Sequence, residues 1–370
     1  MKSYICAIGT ANPPHRFAQR EIADFMAQAL QFDDRNTRKL KVLYQKSGID
    51  YRYSVLDDYG KENGDYTFFP NTPDLEPFPA MEPRMAVFRR CALDLAVAAI
   101  RDCLRQVPDF DPAFVSHLIT VSCTGMYAPG LDIELITALS LSTQVQRTAV
   151  NFMGCYAAFN ALKLADAICK ANPEARVLVV GIELCTIHFQ KRTETDHLVS
   201  NAIFGDGAAA VLVQGRPLPG QANLEQASFQ CEVVPAGVKE MAWHIGDFGF
   251  EMTLSSYVPE MIKCGIRQLA ESLLRQLELT LDKVRYYAIH PGGRKILEVI
   301  EQELGMSRED NRFAYDVLRR YGNMSSVTVL FVLRELMRAL RPADHEENVL
   351  SFAFGPGLTL ESMLLRVHHV

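Results

Sequence analysis

The sequence lacks the marks of several function classes. It has no CxxC pair and no cysteine and histidine cluster at metal-ligand spacing, which argues against a zinc site. Its nine cysteines are odd in number and scattered through apolar segments. They read as reduced thiols, most of them packing as small hydrophobes, so a cytoplasmic setting is expected. No stretch reaches the roughly 20 unbroken apolar residues of a membrane span, and the apolar run ending at Gly9 is too short for an export signal. Positive charge is not in excess either. With 38 Lys and Arg against 44 Asp and Glu the formal charge is −6, and no helix carries a dense basic stripe, so nucleic acid is not an expected partner.

What is present is a globular composition. The 370 residues are 48% hydrophobic and 22% charged, enough to bury a large core or two packed domains. Helical patterning alternates with short β-rich runs, which reads as an α/β fold. The clearest strands are HLITVS (117–122), RVLVVGIEL (176–184), AAAVLVQG (208–215), RYYAIH (285–290) and VLSFAFG (349–355). Their continuous apolar character predicts sheets covered on both faces. Residues 57–85, rich in proline, acid and aromatic side chains, read as a surface excursion, either a solvated loop or a cover over an entrance or partner subunit. QGRPLPGQANLEQ (214–226) is the best domain boundary, dividing the chain into 1–216 and 217–370.

The two halves repeat an order of elements. A small-residue turn at Gly154 and Cys155 opens an apolar helix, and the strand VLVVGIEL, the turn FGDG and the strand AAAVLV follow. In the second half YGNMSS (321–326) opens an apolar helix before VLSFAFGPG and LTLESMLLRV. Such a repeat places Cys155 and Asn323 at equivalent helix ends, brought together by a pseudo-twofold axis.

The segment CYAAFNALKLADAICKA reads as a mostly buried helix with a narrow polar stripe of Asn160, Lys163 and Lys170. A thiol at its first turn lies near the positive end of the helix dipole, which favours a thiolate. Position alone leaves two readings open for Cys155, a nucleophile or a small residue packing at a turn. Among nine histidines, His290 ends a strand and precedes PGG, at a sheet edge where open α/β folds bind ligands. Asn323 fits either a helix cap or a catalytic amide. Cysteine, histidine and asparagine together can give an ion-paired thiolate and an oxyanion site for a thioester enolate.

These residues and their surroundings resemble the type III polyketide synthases, the chalcone and stilbene synthase family. The resemblance runs through AIGTANPP, GCYAAFNAL, FGDGAAAVL, IHPGGRKIL, YGNMSS and FGPGLTLE, in that order along nearly the whole chain. It implies a thiolase fold, five-layered αβαβα, built from two related halves, and a homodimer. By motif, Cys155 matches the nucleophile that takes the starter acyl group from CoA, His290 the histidine that keeps that thiol ionised, and Asn323 its amide partner. Phe204 matches a gatekeeper phenylalanine, although ordinary core packing would also explain it. Gly355, Pro356 and Gly357 match the loop that shapes the cyclisation cavity, and Ser325 in YGNMSS joins the substrate-binding set. Lys39 and Lys46 fall where the family binds CoA phosphates, and a solvated helix face explains them as well.

Departures from the plant pattern concern the substrate. His188 stands in place of a cavity-lining threonine, Met252 in place of the second gatekeeper phenylalanine, and Ala128 in place of a methionine. They put phenylpropanoid starters in doubt and favour a fatty or small acyl-CoA starter, extended with malonyl-CoA to a pyrone, resorcinol or phloroglucinol-type product. No metal or redox cofactor is implied. A single-condensation β-ketoacyl carrier-protein synthase is the nearest competitor. A hydroxymethylglutaryl-CoA synthase would need a carboxylate near Cys155, and none is identifiable. A papain-like hydrolase lacks a matching context, and a non-catalytic thiolase-fold partner would be expected to lack one of the three reactive residues.

Overall fold

A computed structural model describes residues 1–255 and 257–370. The first half contains β1 (Tyr4–Ala11), β2 (His15–Ala18), α1 (Gln19–Ala29), α2 (Asp34–Lys46), β3 (Tyr51–Ser54) and α3 (Met81–Leu104). It continues with β4 (His117–Ser122), α4 (Leu131–Leu139), β5 (Gln146–Asn151), α5 (Ala157–Ala171), β6 (Arg176–Leu184), α6 (Thr195–Ile203) and β7 (Asp206–Gln214). The second half opens with β8 (Ala222–Val233), the hairpin β9 (Met241–Gly246) and β10 (Gly249–Leu254), and α7 (Val258–Arg275). It ends with β11 (Val284–Ile289), α8 (Arg294–Leu304), α9 (Arg312–Tyr321), α10 (Thr328–Ala339), β12 (Asn348–Gly355) and β13 (Thr359–His369).

Strand order carries the internal repeat. The large sheet runs β11-β12-β13-β8-β1-β7-β6-β4-β5. In the first half β7 is antiparallel to both β1 and β6, and β4 is parallel to β6. In the second, β13 is antiparallel to both β8 and β12, and β11 is parallel to β12. Within the sheet, the two parts pair through β1 and β8, at Tyr4 opposite Glu225 and Ile5 opposite Leu224.

Side-chain alternation then builds the layers of a thiolase fold. Leu178 and Val180 of β6 face a core with α1 and α3, while Val177 and Val179 face α5 and α10. In β12, Val349 and Ala353 face the same central helices, and Leu350, Phe352 and Phe354 face α7 and α8. The order is therefore helix, sheet, helix, sheet, helix. Burial on both faces explains the continuous apolar strands. The polar stripe of α5 also reaches across the halves, where Lys163 pairs at 2.5 Å with Glu361 of β13.

Residues 57–85 are not a solvated excursion. Tyr59, Tyr66, Phe69, Leu75 and Phe78 are buried, and Phe25 of α1 meets Tyr59 and Phe69 at ring separations of 4.9 and 5.6 Å. Buried Asp58 organises the segment. Its carboxylate accepts the N–H groups of Thr67, Phe68 and Phe69 at 2.7, 2.9 and 2.8 Å, satisfying backbone that water would otherwise serve.

Candidate active site

The turn that carries Cys155 comes from the first half. Gly154 takes φ +82°, and its carbonyl accepts the N–H of Ala157 at 3.0 Å. Tyr156 is the N-cap of α5, so Cys155 lies one residue before the cap rather than in the helix's first turn. The expected helix start is displaced because the glycine turns the chain before helical geometry can begin. A Cβ at Gly154 would collide with Pro356, and one at Gly355 with the Tyr156 ring. The loop after β12 thus packs directly on the turn that presents the thiol. Gly357, at φ +109°, anchors that loop through its N–H to the Met241 carbonyl at 3.1 Å.

The second half supplies the other groups. Ser325, at φ +48°, holds its hydroxyl 3.8 Å from Cys155 Sγ. The side-chain carbonyl of buried Asn323 accepts the Ser325 N–H at 2.9 Å, and its amide donates to the Gly292 carbonyl at 3.3 Å. Asn323 also forms a parallel bridge with Phe204, and its carbonyl accepts the Gly205 N–H at 2.9 Å. His290 follows β11, with its N–H on the Phe352 carbonyl at 2.8 Å. Its Nε2 lies 3.7 Å from the position a Cβ on Gly292 would take. Asn323 thus ties Gly292, two residues after His290, to the Ser325 that approaches the thiol.

His290 is 1% exposed, and neither ring nitrogen has a hydrogen-bond partner. Burial pushes the imidazole down to about 3. Burial likewise pushes the Cys155 thiol up to about 12, although the Ser325 hydroxyl and Asn323 amide pull it the other way. Desolvation thus opposes the charged form of each group.

Phe204, Met252 and His188 line one cavity of about 40 Å³, together with Trp243 and Phe250. His188 is fully engaged. Its Nε2–H donates to the Thr124 carbonyl at 2.7 Å and its Nδ1 accepts the Phe250 N–H at 2.9 Å, which fixes the tautomer. Its ring stacks on Phe250 at 4.3 Å, and Trp243 stands edge-on to both while donating to the Cys123 carbonyl at 2.7 Å. A second cleft, about 310 Å³, opens at the loop after His290 and is lined by Gly292, Gly293, Lys46, Ser47, Arg294 and Lys295 among others.

Two expected substrate contacts are not at these cavities. Ala128 is exposed on the loop between β4 and α4, since the chain turns outward through the Ala128–Pro129 segment. Lys39 is exposed on α2 nearly two turns before Lys46, too far along the helix to share the cleft.

Sequence reasoning missed a carboxylate near the thiol. Glu183 is fully buried at the end of β6, and it accepts from Cys123 N–H at 3.0 Å, Thr124 Oγ1 at 2.8 Å and Ser326 Oγ. Burial raises it to about 7, with those donors opposing the shift. With its oxygens so engaged, it is scaffold rather than a free base. Its signal was visible as the one acid inside an apolar strand. Trp243 and Phe250 were also missed, because nothing local in WHIGDFGFEM shows that the hairpin folds onto His188. Away from this site, His345, Glu346 and His368 approach within 4.8 Å of one another at the far end of β13. His345 Nδ1 there accepts the His369 N–H at 3.1 Å, and Arg366 approaches Glu346 at 3.7 Å.

No helix among the described residues is long and apolar enough to cross a membrane. The family model for the N-terminal domain of chalcone and stilbene synthases matches residues 1–217, and that for the C-terminal domain matches residues 224–368. The alpha-pyrone synthesis polyketide synthase-like Pks18 of Mycobacterium tuberculosis is 32% identical over 97% of this chain and 90% of its own length. The probable polyketide synthase 1 of Dictyostelium discoideum is 29% identical over 98% of this chain, which spans only 11% of that longer protein. Among solved structures, the C-terminal type III polyketide synthase domain of Steely1, a type I/III hybrid from Dictyostelium, superposes with a TM-score of 0.90, at 28% identity and 99% coverage of both chains. PKS-I of the brown alga Ectocarpus siliculosus gives 0.90 at 29% identity, covering 99% of this chain and 98% of its own. The chain belongs to the chalcone and stilbene synthase family, the type III polyketide synthases.

Proposed function

We propose that the protein loads a small acyl group from CoA onto Cys155 and extends it by decarboxylative condensation with malonyl-CoA, acting as a homodimer. The observation that carries this reading is His290, a buried imidazole with both ring nitrogens free, two residues before the Gly292 carbonyl that takes the Asn323 amide, while Ser325, held by Asn323, lies against the thiol. His290 accepts the Cys155 proton as Sγ bonds to the starter carbonyl, and the departing CoA thiolate takes that proton. Malonyl-CoA then loses CO2, and the electron pair of the broken bond becomes an enolate. Imidazole N–H and the Asn323 amide stabilise its oxygen. Its carbon attacks the acyl carbonyl, the bond to Sγ breaks, and the chain leaves two carbons longer on CoA.

The cavity bears on the starter. A space of about 40 Å³ lined by Phe204 and walled by a hydrogen-bonded Trp243, His188 and Phe250 group supports a short acyl starter over a fatty one. Pks18, named for alpha-pyrone synthesis, favours a pyrone as the product class. The test is mass spectrometry of products from malonyl-CoA with acyl-CoA starters of increasing length, for wild type and Cys155→Ala. Wild type should yield short pyrones and resorcinol-type compounds. Cys155→Ala should yield none while still decarboxylating malonyl-CoA. Condensation by that variant at the wild-type rate would overturn the assignment, and a product of one condensation made only on a carrier protein would select the competing synthase class.

A further inference from the structure

One buried charge has no part in the site described above. Arg84, on α3, is fully buried, and each of its hydrogen bonds goes to a backbone carbonyl. Nε donates to Pro79 at 2.9 Å, and Nη1 donates to both Ile187 and Phe189, the latter at 3.3 Å. Nη2 has no partner among the described residues. Burial pushes the group down to about 10, so it stays charged at neutral pH. A buried guanidinium that no carboxylate neutralises costs stability, and an apolar side chain of like volume would avoid that cost.

What the charge holds is the back of the cavity wall. Ile187 and Phe189 stand on either side of His188, so one planar group grips the backbone at both ends of that residue. Gln190 extends the hold to the hairpin: its side-chain amide donates to the His188 and Phe248 carbonyls at 3.1 Å and to Phe250 at 3.4 Å. The hairpin also meets the start of α3, where the Met81 N–H donates to the Asp247 carbonyl at 2.9 Å. At Gly249, φ +116°, a Cβ would lie 3.2 Å from Arg84 Cδ, Gln190 Nε2 and His188 Nδ1 alike, so the missing side chain lets the three come together. Phe78 closes the far side, its ring centre 4.8 Å from the guanidinium carbon and 5.6 Å from the Phe189 ring. Arg84 itself does not line the cavity; it stands behind His188.

We propose that Arg84 is a positioning residue that sets the acyl chain length the cavity accepts, by fixing His188 directly and Phe250 through the shared contact at Gly249 and Gln190. The inference rests on the acyl-loading reading above. A planar fork on two carbonyls of one loop resists displacement of the residue between them. Lysine, a point charge on a flexible stem, keeps the charge and loses that geometry.

Trp243, the one tryptophan of the chain, stands edge-on to His188 and Phe250 and reports on the wall without any turnover. In Arg84→Met, acrylamide quenching of its fluorescence should at least double relative to wild type, with Arg84→Lys intermediate. In steady-state kinetics with acyl-CoA starters, kcat/KM for dodecanoyl-CoA relative to butanoyl-CoA should rise about tenfold in Arg84→Met, again with lysine between. A residue needed only for folding would lower both starters equally and leave the quenching of the folded protein at its wild-type value. An unchanged starter ratio or unchanged quenching would each overturn the proposal. Should Arg84→Met fail to fold, the lysine variant decides by the same two measurements. Raised quenching in the variants, with no starter turned over by wild type, would sink the acyl-loading reading and the length preference with it, while the hold on the wall would stand.

Discussion

His188 and His290 are both buried imidazoles that desolvation pushes down to about 3, and they are held in opposite ways. His188 has each nitrogen on a backbone partner and a ring stacked against Phe250. His290 has neither nitrogen engaged. A buried polar group without a partner costs stability, of order 1–3 kcal/mol. Folding tolerates that cost at His290, just after β11, and avoids it at His188, which walls the cavity. The difference separates groups that shape the site from a group left open for a reacting proton.

The largest effect should come from the open group. His290→Gln is expected to lower condensation by about 10²–10⁴-fold, the usual weight of a proton-transfer group, with little change in melting temperature. Product formation and thermal unfolding, measured together, check this; a stability loss matching the activity loss would erase the distinction. His188→Ala should do the reverse. It strands the Thr124 carbonyl and the Phe250 N–H, and a destabilisation of about 2–5 kcal/mol in urea unfolding is expected from two lost partners, with residual condensation retained.

Glu183 sharpens the comparison from the acidic side, since it is buried and engaged like His188. Its folded value of about 7 exceeds the unfolded carboxylate value, so its contribution is full below about pH 4.5 and lost as pH rises through 7. Wild-type stability should fall by about 3 kcal/mol across that window from this group alone, and Glu183→Gln should remove the fall. Urea midpoints between pH 4.5 and 8.5 would show it. The histidines have the opposite sign. Their folded values lie below the unfolded imidazole value of about 6.5, so stability is present above that pH and declines toward 3. Between pH 6.5 and 4.5 each should contribute a loss of roughly 2–3 kcal/mol, and His290→Gln should cancel its share without lowering stability at pH 8. A variant less stable at pH 8 would place His290 among the engaged groups.

Much of the frame was legible because local pattern and burial agree. HLITVS and RVLVVGIEL form β4 and β6 at their expected ends, since continuous apolar runs bounded by polar residues leave little choice of register. The repeated order of elements was also readable, because it survives divergence of the side chains. Other features depend on partners far along the chain. The aromatic segment after residue 57 folds inward through Asp58 and α1, and no local rule announces that a carboxylate will replace solvent for three successive amides. The start of α5 shifts because Gly154 adopts a positive φ under Pro356, some two hundred residues later. Position by resemblance placed Phe204, Met252 and His188 at one cavity, yet could not show that Trp243 and Phe250 would narrow it.

The placement of β13 has a consequence for how damage travels between the halves. It lies between β8 and β12, with its register against β8 running from Thr359 to His369. The loop that leads into it is the one whose Pro356 packs on Gly154. A substitution that loosens β13 would therefore unsettle the thiol-bearing turn of the other half while leaving every reactive side chain in place, so such a variant should be inert rather than carry a promiscuous thiol.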